Sequence, residues 1–212
     1  MRIHKYFFTP LLFITSLSIA QPKGFSSVKN VQEFQTSLSK SNSQINTISS
    51  DFAQTKNMTL LSEKVKSKGK FFFKKEDKVR IEYTAPYKYL LVMNGGNVLV
   101  RDEEKTSKIN TKSSKTMQSV NRIMIDCMRG TVLNNPDFKT TVFEDGHSFL
   151  LSLNPATDAM RKLFKRIDVF LDKKSFDVKR LSMIEQGGDF TDMDFSNPQH
   201  NVTLNEDIFK TR

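Results

Sequence analysis

The stretch Gly69–Tyr83, GKFFFKKEDKVRIEY, restricts the folds open to this chain more than any other. Strand side chains alternate between two faces with a period of two. Val79, Ile81 and Tyr83 therefore share one face, with Lys78, Arg80 and Glu82 on the other. Phe71, Phe72 and Phe73 break that polarity, because three consecutive rings put aromatic surface on both faces. Tyr89–Met93, Val98–Val100 and Phe149–Leu151 repeat the pattern, in a chain with 18 Phe, nine Met and no Trp. A sheet that is apolar on both sides must be covered on both, and few helices are available to do it.

Around this stretch the chain reads as an antiparallel meander. Runs rich in Val, Ile, Phe and Leu are separated by turn signals at Asn94–Asn97, Asp145–Gly146 and Gly187–Gly188. Polar corners at Lys74–Asp77, Asp102–Lys105 and Asp172–Ser175 serve the same purpose. About eleven strands are predicted, centred near Phe52, Val65, Phe72, Ile81, Leu91, Leu99, Ile109, Val142, Leu150, Val169 and Leu181, with Met193 as a further candidate. Val31, Phe34 and Leu38 predict a short amphipathic helix over 28–41. Between Ser113 and Gly130, Met117, Val120, Met124, Cys127 and Met128 follow helical spacing, and Gly130 is a suitable stop. Asn154–Phe164 reads as a loop with one helical turn.

The N-terminus indicates a compartment. Arg2, His4 and Lys5 precede the apolar run Tyr6–Ala20, which contains Pro10 and ends in Ser18-Ile19-Ala20. This is the pattern of a secretory signal peptide over 1–20, cut after Ala20, with residues 21–212 forming one domain. No Cys lies near the cut, so no lipid anchor is expected. Without Arg2 and Lys5, 31 Lys+Arg face 23 Asp+Glu, a net charge of +8. That charge suits solubility, an acidic partner or anionic headgroups. Export and the lack of a recognition-helix or stacking-aromatic pattern argue against nucleic acid.

Signals for catalysis are weak throughout. His147 and His200 stand outside any metal-ligand cluster. Gly146-His147-Ser148 begins like a nucleophile elbow but lacks the second glycine. Asp192 and Asp194 share a strand face with no calcium-type loop beside them, and read as a solvated face. Cys127 lies among methionines with no base to activate it. No catalytic residue, metal or cofactor is expected; the chain reads as a binding protein and a monomer.

Three arrangements satisfy a two-faced sheet: a filled closed barrel, a sandwich, or a curved open sheet capped by the Met-rich helix over an apolar hollow. The run from Phe52 to Asp102 resembles the outer-membrane lipoprotein carrier family, LolA. Phe52-Ala53-Gln54 matches that family's opening Phe-x-Gln, and Gly69, Arg80, Tyr83, Pro86 and Gly95 match later positions. Ile81 stands where Trp is usual, Asn94 where Asp is usual, and Leu99 and Arg101 replace the last aromatics. The resemblance implies a mainly β fold, a half-open antiparallel barrel with a helical lid over an apolar cavity. It implies a periplasmic carrier of a Gram-negative bacterium that takes lipoproteins from an inner-membrane ABC complex to an outer-membrane acceptor. The resemblance equally admits, as an alternative, a carrier of another lipid or polyene-type cargo, or a non-enzymatic envelope lipid sensor of the same fold. The expected cavity residues are Phe52, Phe71, Phe73, Val79, Ile81, Tyr83, Leu91 and Leu99 on the sheet, with Met117, Val120, Met124, Cys127 and Met128 on the lid. Lys75 aligns with the family's lid-clasping Arg, and a lysine lacks the planar fork of that side chain.

Overall fold

The computed structural model describes residues 21–75, 77–110, 122–123 and 125–211. The chain begins with β1 (Ser26–Ser27) and α1 (Val31–Ser43), then runs up and down through β2 (Thr47–Met58), β3 (Glu63–Lys74), β4 (Lys78–Ala85), β5 (Tyr89–Asn94), β6 (Asn97–Arg101) and β7 (Thr106–Asn110). A helix, α2, includes residues 122–123 and 125–129. The second meander is β8 (Phe138–Glu144), β9 (Ser148–Pro155), the single turn α3 (Asp158–Arg161), β10 (Phe164–Asp172), β11 (Val178–Glu185) and β12 (Phe190–His200). β12 pairs antiparallel with β2, which joins both meanders into one open twelve-stranded sheet with β1 and β7 at its edges.

The differences from the predicted elements have local causes. Val65 and Phe72 belong to one strand, β3, paired with β2 without a break from Met58↔Glu63 to Thr47↔Lys74. α1 starts at Val31 because the Asn30 side chain accepts the Glu33 amide at 3.1 Å, capping the helix. Met193 lies in a full strand. β1 is only two residues long and carries no alternation that could have revealed it.

Both faces of the sheet are covered, by different parts of the chain. On the inner face, Phe34 and Leu38 of α1 pack with Leu151, Leu153, Ile167 and Val169, while Phe52, Phe71, Phe73 and Val79 form a neighbouring cluster. On the outer face, Val92 and Leu99 are sealed by Phe209, with Phe72, Leu204 and Ile208 around them. Further along that face, Phe25 of the N-terminal segment meets Phe170 edge-on at 6.1 Å. Phe72 is thus partly covered by the returning C-terminal segment, while Phe71 and Phe73 are buried in the interior. Each large apolar side chain buried this way contributes on the order of 1.5–3 kcal/mol.

Candidate functional site: a closed apolar face under α2

Strand register places the site. Phe71 pairs with Ile81 and Phe73 with Val79, so these four side chains project inward together. Ile81 and Val79 in turn pair with Leu91 and Met93. Phe52, Phe71, Phe73, Val79 and Ile81 are all buried in one cluster with Met93, Val98, Met193 and Ile125, and Tyr83 and Leu91 flank it half-buried. Gly69 makes the floor continuous: a Cβ there would lie 2.0 Å from the Glu82 carbonyl oxygen and 2.8 Å from the Phe52 ring. The ring of Phe52 therefore lies across β3 and meets Tyr83 edge-on at 5.0 Å.

Leu99 does not join this face. The turn Asn94–Asn97 pairs Met93 with Val98 and Leu91 with Val100, which leaves Leu99 opposite Val92 on the outer face. It is buried there beneath Phe209. Val98, Met93, Met193 and Phe195 were missed by sequence reasoning. The hairpin parity would have found the first two once Leu91 was taken as inward-facing.

α2 rests on the cluster from above. Met117, Val120 and Met124 lie outside the described residues. Of the predicted stripe, Cys127 is buried and Met128 partly so; Ile123 and Ile125, off that stripe, are also buried. Ile123 and Cys127 face the α1 side and Ile125 the β2–β6 side. A helix wedged between two apolar clusters is buried over a wider arc than the single stripe of a surface helix.

The C-terminal end of α2 is firmly tied. Asn42 of α1 donates to the carbonyls of Cys127 (3.4 Å) and Met128 (3.1 Å). Asp126 accepts from Thr131 Oγ1 at 2.9 Å and from Asn135 Nδ2 at 2.7 Å. Gly130 ends the helix at φ +71°, with Leu38 and Asn42 within about 3.2 Å of where a Cβ would sit. Arg129 reaches Asp77 in the β3–β4 turn at 2.6 Å. Lys75, the expected clasp, instead donates to the Ser43 carbonyl at the end of α1 at 2.6 Å. A point-charge ammonium suits that exposed carbonyl end of a helix dipole. The cation–anion contact between α2 and the turn is made from the helix side, by Arg129.

Among the described residues, a gap of about 30 Å³ lies between α1, α2 and β2, β3 and β12, bordered by Ile45, Ile48, Phe71, Cys127, Met128 and Phe195. That holds about one water, an order of magnitude below the roughly 300–1,000 Å³ of sites for larger ligands. The part of the face from Phe52 to Ile81 is filled by its own side chains, and beside Tyr83 an open groove of about 200 Å³ is bordered by Val65, Ser67, Pro86 and Tyr89. Burial and the neighbouring Asp126 carboxylate push the Cys127 thiol up to about 12. Burial, with Tyr89 beside it, pushes the Tyr83 phenol up to about 12, and its hydroxyl donates to Gln54 at 2.8 Å. Asp192 and Asp194 engage Ser182 and Arg180, and His200 meets Asp177 at 2.7 Å. Among the described residues, no group of three or more His, Cys, Asp or Glu side chains is placed to hold a metal ion.

The family model for the outer membrane lipoprotein carrier protein LolA matches residues 43–212. No curated protein sequence matches this chain. Among solved structures, an uncharacterised conserved protein of Thermus thermophilus aligns with TM-score 0.53 and 6% identity, over 85% of this chain and 94% of its own. A LolA-superfamily protein of Nitrosomonas europaea aligns at 0.45 and 11% identity, over 83% and 97%. An outer membrane lipoprotein-sorting protein domain of Vibrio parahaemolyticus aligns at 0.44 and 11%, over 84% and 94%.

Proposed function

Since this chain belongs to the LolA family of outer membrane lipoprotein carrier proteins, we propose that it shields the acyl chains of lipoproteins and moves them from the inner to the outer membrane. The protein is exported to the periplasm, cut after Ala20, and works by binding without catalysis. It receives its cargo from an inner-membrane ABC complex and yields it to an outer-membrane acceptor. At about 0.8 kcal/mol per buried CH₂, a long acyl chain resists crossing water by roughly 10 kcal/mol or more, so transfer needs a carrier.

The observation that carries this reading is the inner face itself. Phe52, Phe71, Phe73, Val79 and Ile81 make a broad apolar surface over which a helix, rather than a second sheet, is laid. Packing of that kind opens by moving one element. Cargo enters as α2 swings about its tied C-terminal end, exposing Phe71 and its neighbours. Cys127 and Met128 stay near the pivot, where the flexible Met side chain repacks against the bound chain.

Native mass spectrometry of the chain purified from the periplasm of its own kind of cell tests the proposal. Adducts carrying a triacylated peptide are expected. Adducts of a free lipid would replace lipoprotein by another apolar cargo, and a protein bare under all loading conditions would refute the carrier reading.

A further inference from the structure

We infer that the tip of the β2–β3 hairpin docks on an anionic lipid bilayer, with Leu60 and Leu61 entering the apolar layer and Lys64, Lys66 and Lys68 meeting the headgroups. Leu60 and Leu61 are 94% and 63% exposed. Two adjacent leucines held out in water at a turn are costly unless something covers them.

The tip is built to hold them out. Thr59–Leu61 forms a tight helical turn, and Ser62 follows at φ +53°, reversing the chain. Thr59 is braced from the neighbouring β11–β12 turn, its amide donating to Asp189 Oδ1 and its hydroxyl to the Gly188 carbonyl, both at 2.9 Å. The leucines therefore cannot fold back without breaking those contacts. β3 also outruns its neighbour: its pairing with β4 begins at Lys68↔Ala85, so Glu63–Ser67 project beyond β4.

The charge on this projecting arm fits one kind of surface. Lys64, Lys66 and Lys68 alternate along β3 and so share a face, opposite Asn57, Thr55 and Ala53 of β2. Among the described residues none of the three has an acidic partner, whereas Lys70, next in the row, pairs with Asp51 at 3.1 Å. Glu63 is the only acidic residue from Thr59 to Lys68. Tyr87, 72% exposed, stands on the β4–β5 turn at the same end of the sheet, where its amphipathic ring suits the interfacial layer. Exposed leucines at a braced tip, backed by a row of lysines, match the apolar depth and negative surface of an anionic bilayer. The feature lies away from the inner face and is independent of what that face holds.

The full exported chain should float with vesicles of phosphatidylethanolamine and phosphatidylglycerol (3:1), and at least tenfold less with pure phosphatidylcholine. Leu60→Asp/Leu61→Asp and, separately, Lys64→Glu/Lys66→Glu/Lys68→Glu should each lower that partition at least tenfold while melting and acyl-probe binding stay at wild-type values. The chain has no Trp, so Leu60→Trp gives a single reporter, expected to shift to the blue on the anionic vesicles and to be quenched by brominated lipid. The inference is overturned if the wild type ignores anionic vesicles, if the double leucine variant floats as well as wild type, or if the reporter stays in water. It is equally overturned if the leucines instead mediate pairing of two copies, seen as a dimer that the leucine variant dissociates while vesicle binding is unchanged.

Discussion

Gly69 has no room for a methyl group. A side chain there would meet the Glu82 carbonyl oxygen and the Phe52 ring at once, and backbone cannot yield as a flexible side chain does. Gly69→Ala is expected to destabilise by at least about 1–3 kcal/mol, read as a lower urea midpoint at unchanged slope. Cys127 tests the same packing chemically. A thiol held at about 12 is protonated at neutral pH, so it should resist alkylation at pH 8 in the folded protein and react fully in urea. At this scale the sequence was partly legible. Val79, Ile81 and Phe71 followed from alternation, because a strand has one parity. Leu99 was misplaced because its parity depends on the two-residue turn before it. Phe195 and Met193 depended on β12 returning to β2, which no local pattern reveals.

At the scale of elements, the C-terminal part of α2 is tied to its neighbours by Asn42, Asp126 and Gly130, while the Arg129–Asp77 contact joins it to the β3–β4 turn across a half-exposed pair. Such a pair contributes within about 1 kcal/mol to stability. Asp77→Asn should therefore lower the urea midpoint only slightly, at unchanged slope. The Asn42 bonds are of another kind, because they satisfy two helix carbonyls in the interior, where an unpaired polar group costs about 1–3 kcal/mol. The meander was legible from period and turn chemistry, as was the C-terminal part of the inserted helix that lies among the described residues. The contacts at the β3–β4 corner were not: Lys75 donates to the end of α1, and Arg129 carries no sequence sign that it would meet Asp77.

Across the whole molecule, the segment after β12 returns over the sheet. The C-terminal segment covers the outer face with Phe209, and Glu206 fastens it to Lys74 and Lys78. Hydrogen bonds from Lys74 and Lys78 hold the Glu206 carboxyl below the usual carboxylate range. A depressed carboxylate stabilises the fold above its ordinary value, and that contribution fades as acid protonates it. Glu206→Gln should therefore flatten the loss of stability between roughly pH 5 and 3, read from denaturation midpoints. Coverage of the outer face by a chain terminus was invisible in the sequence, because Leu204, Ile208 and Phe209 have no periodic pattern of their own. For the inner face to hold an acyl chain, as proposed, the packing around its gap of about 30 Å³ must open. Photo-crosslinking with a diazirine-bearing palmitate analogue, followed by peptide mapping, tests that opening most directly. The crosslinks should fall on peptides containing Phe71, Cys127 and Phe195; crosslinks confined to the outer face around Leu99 and Phe209, or none at all under saturating analogue, would contradict it.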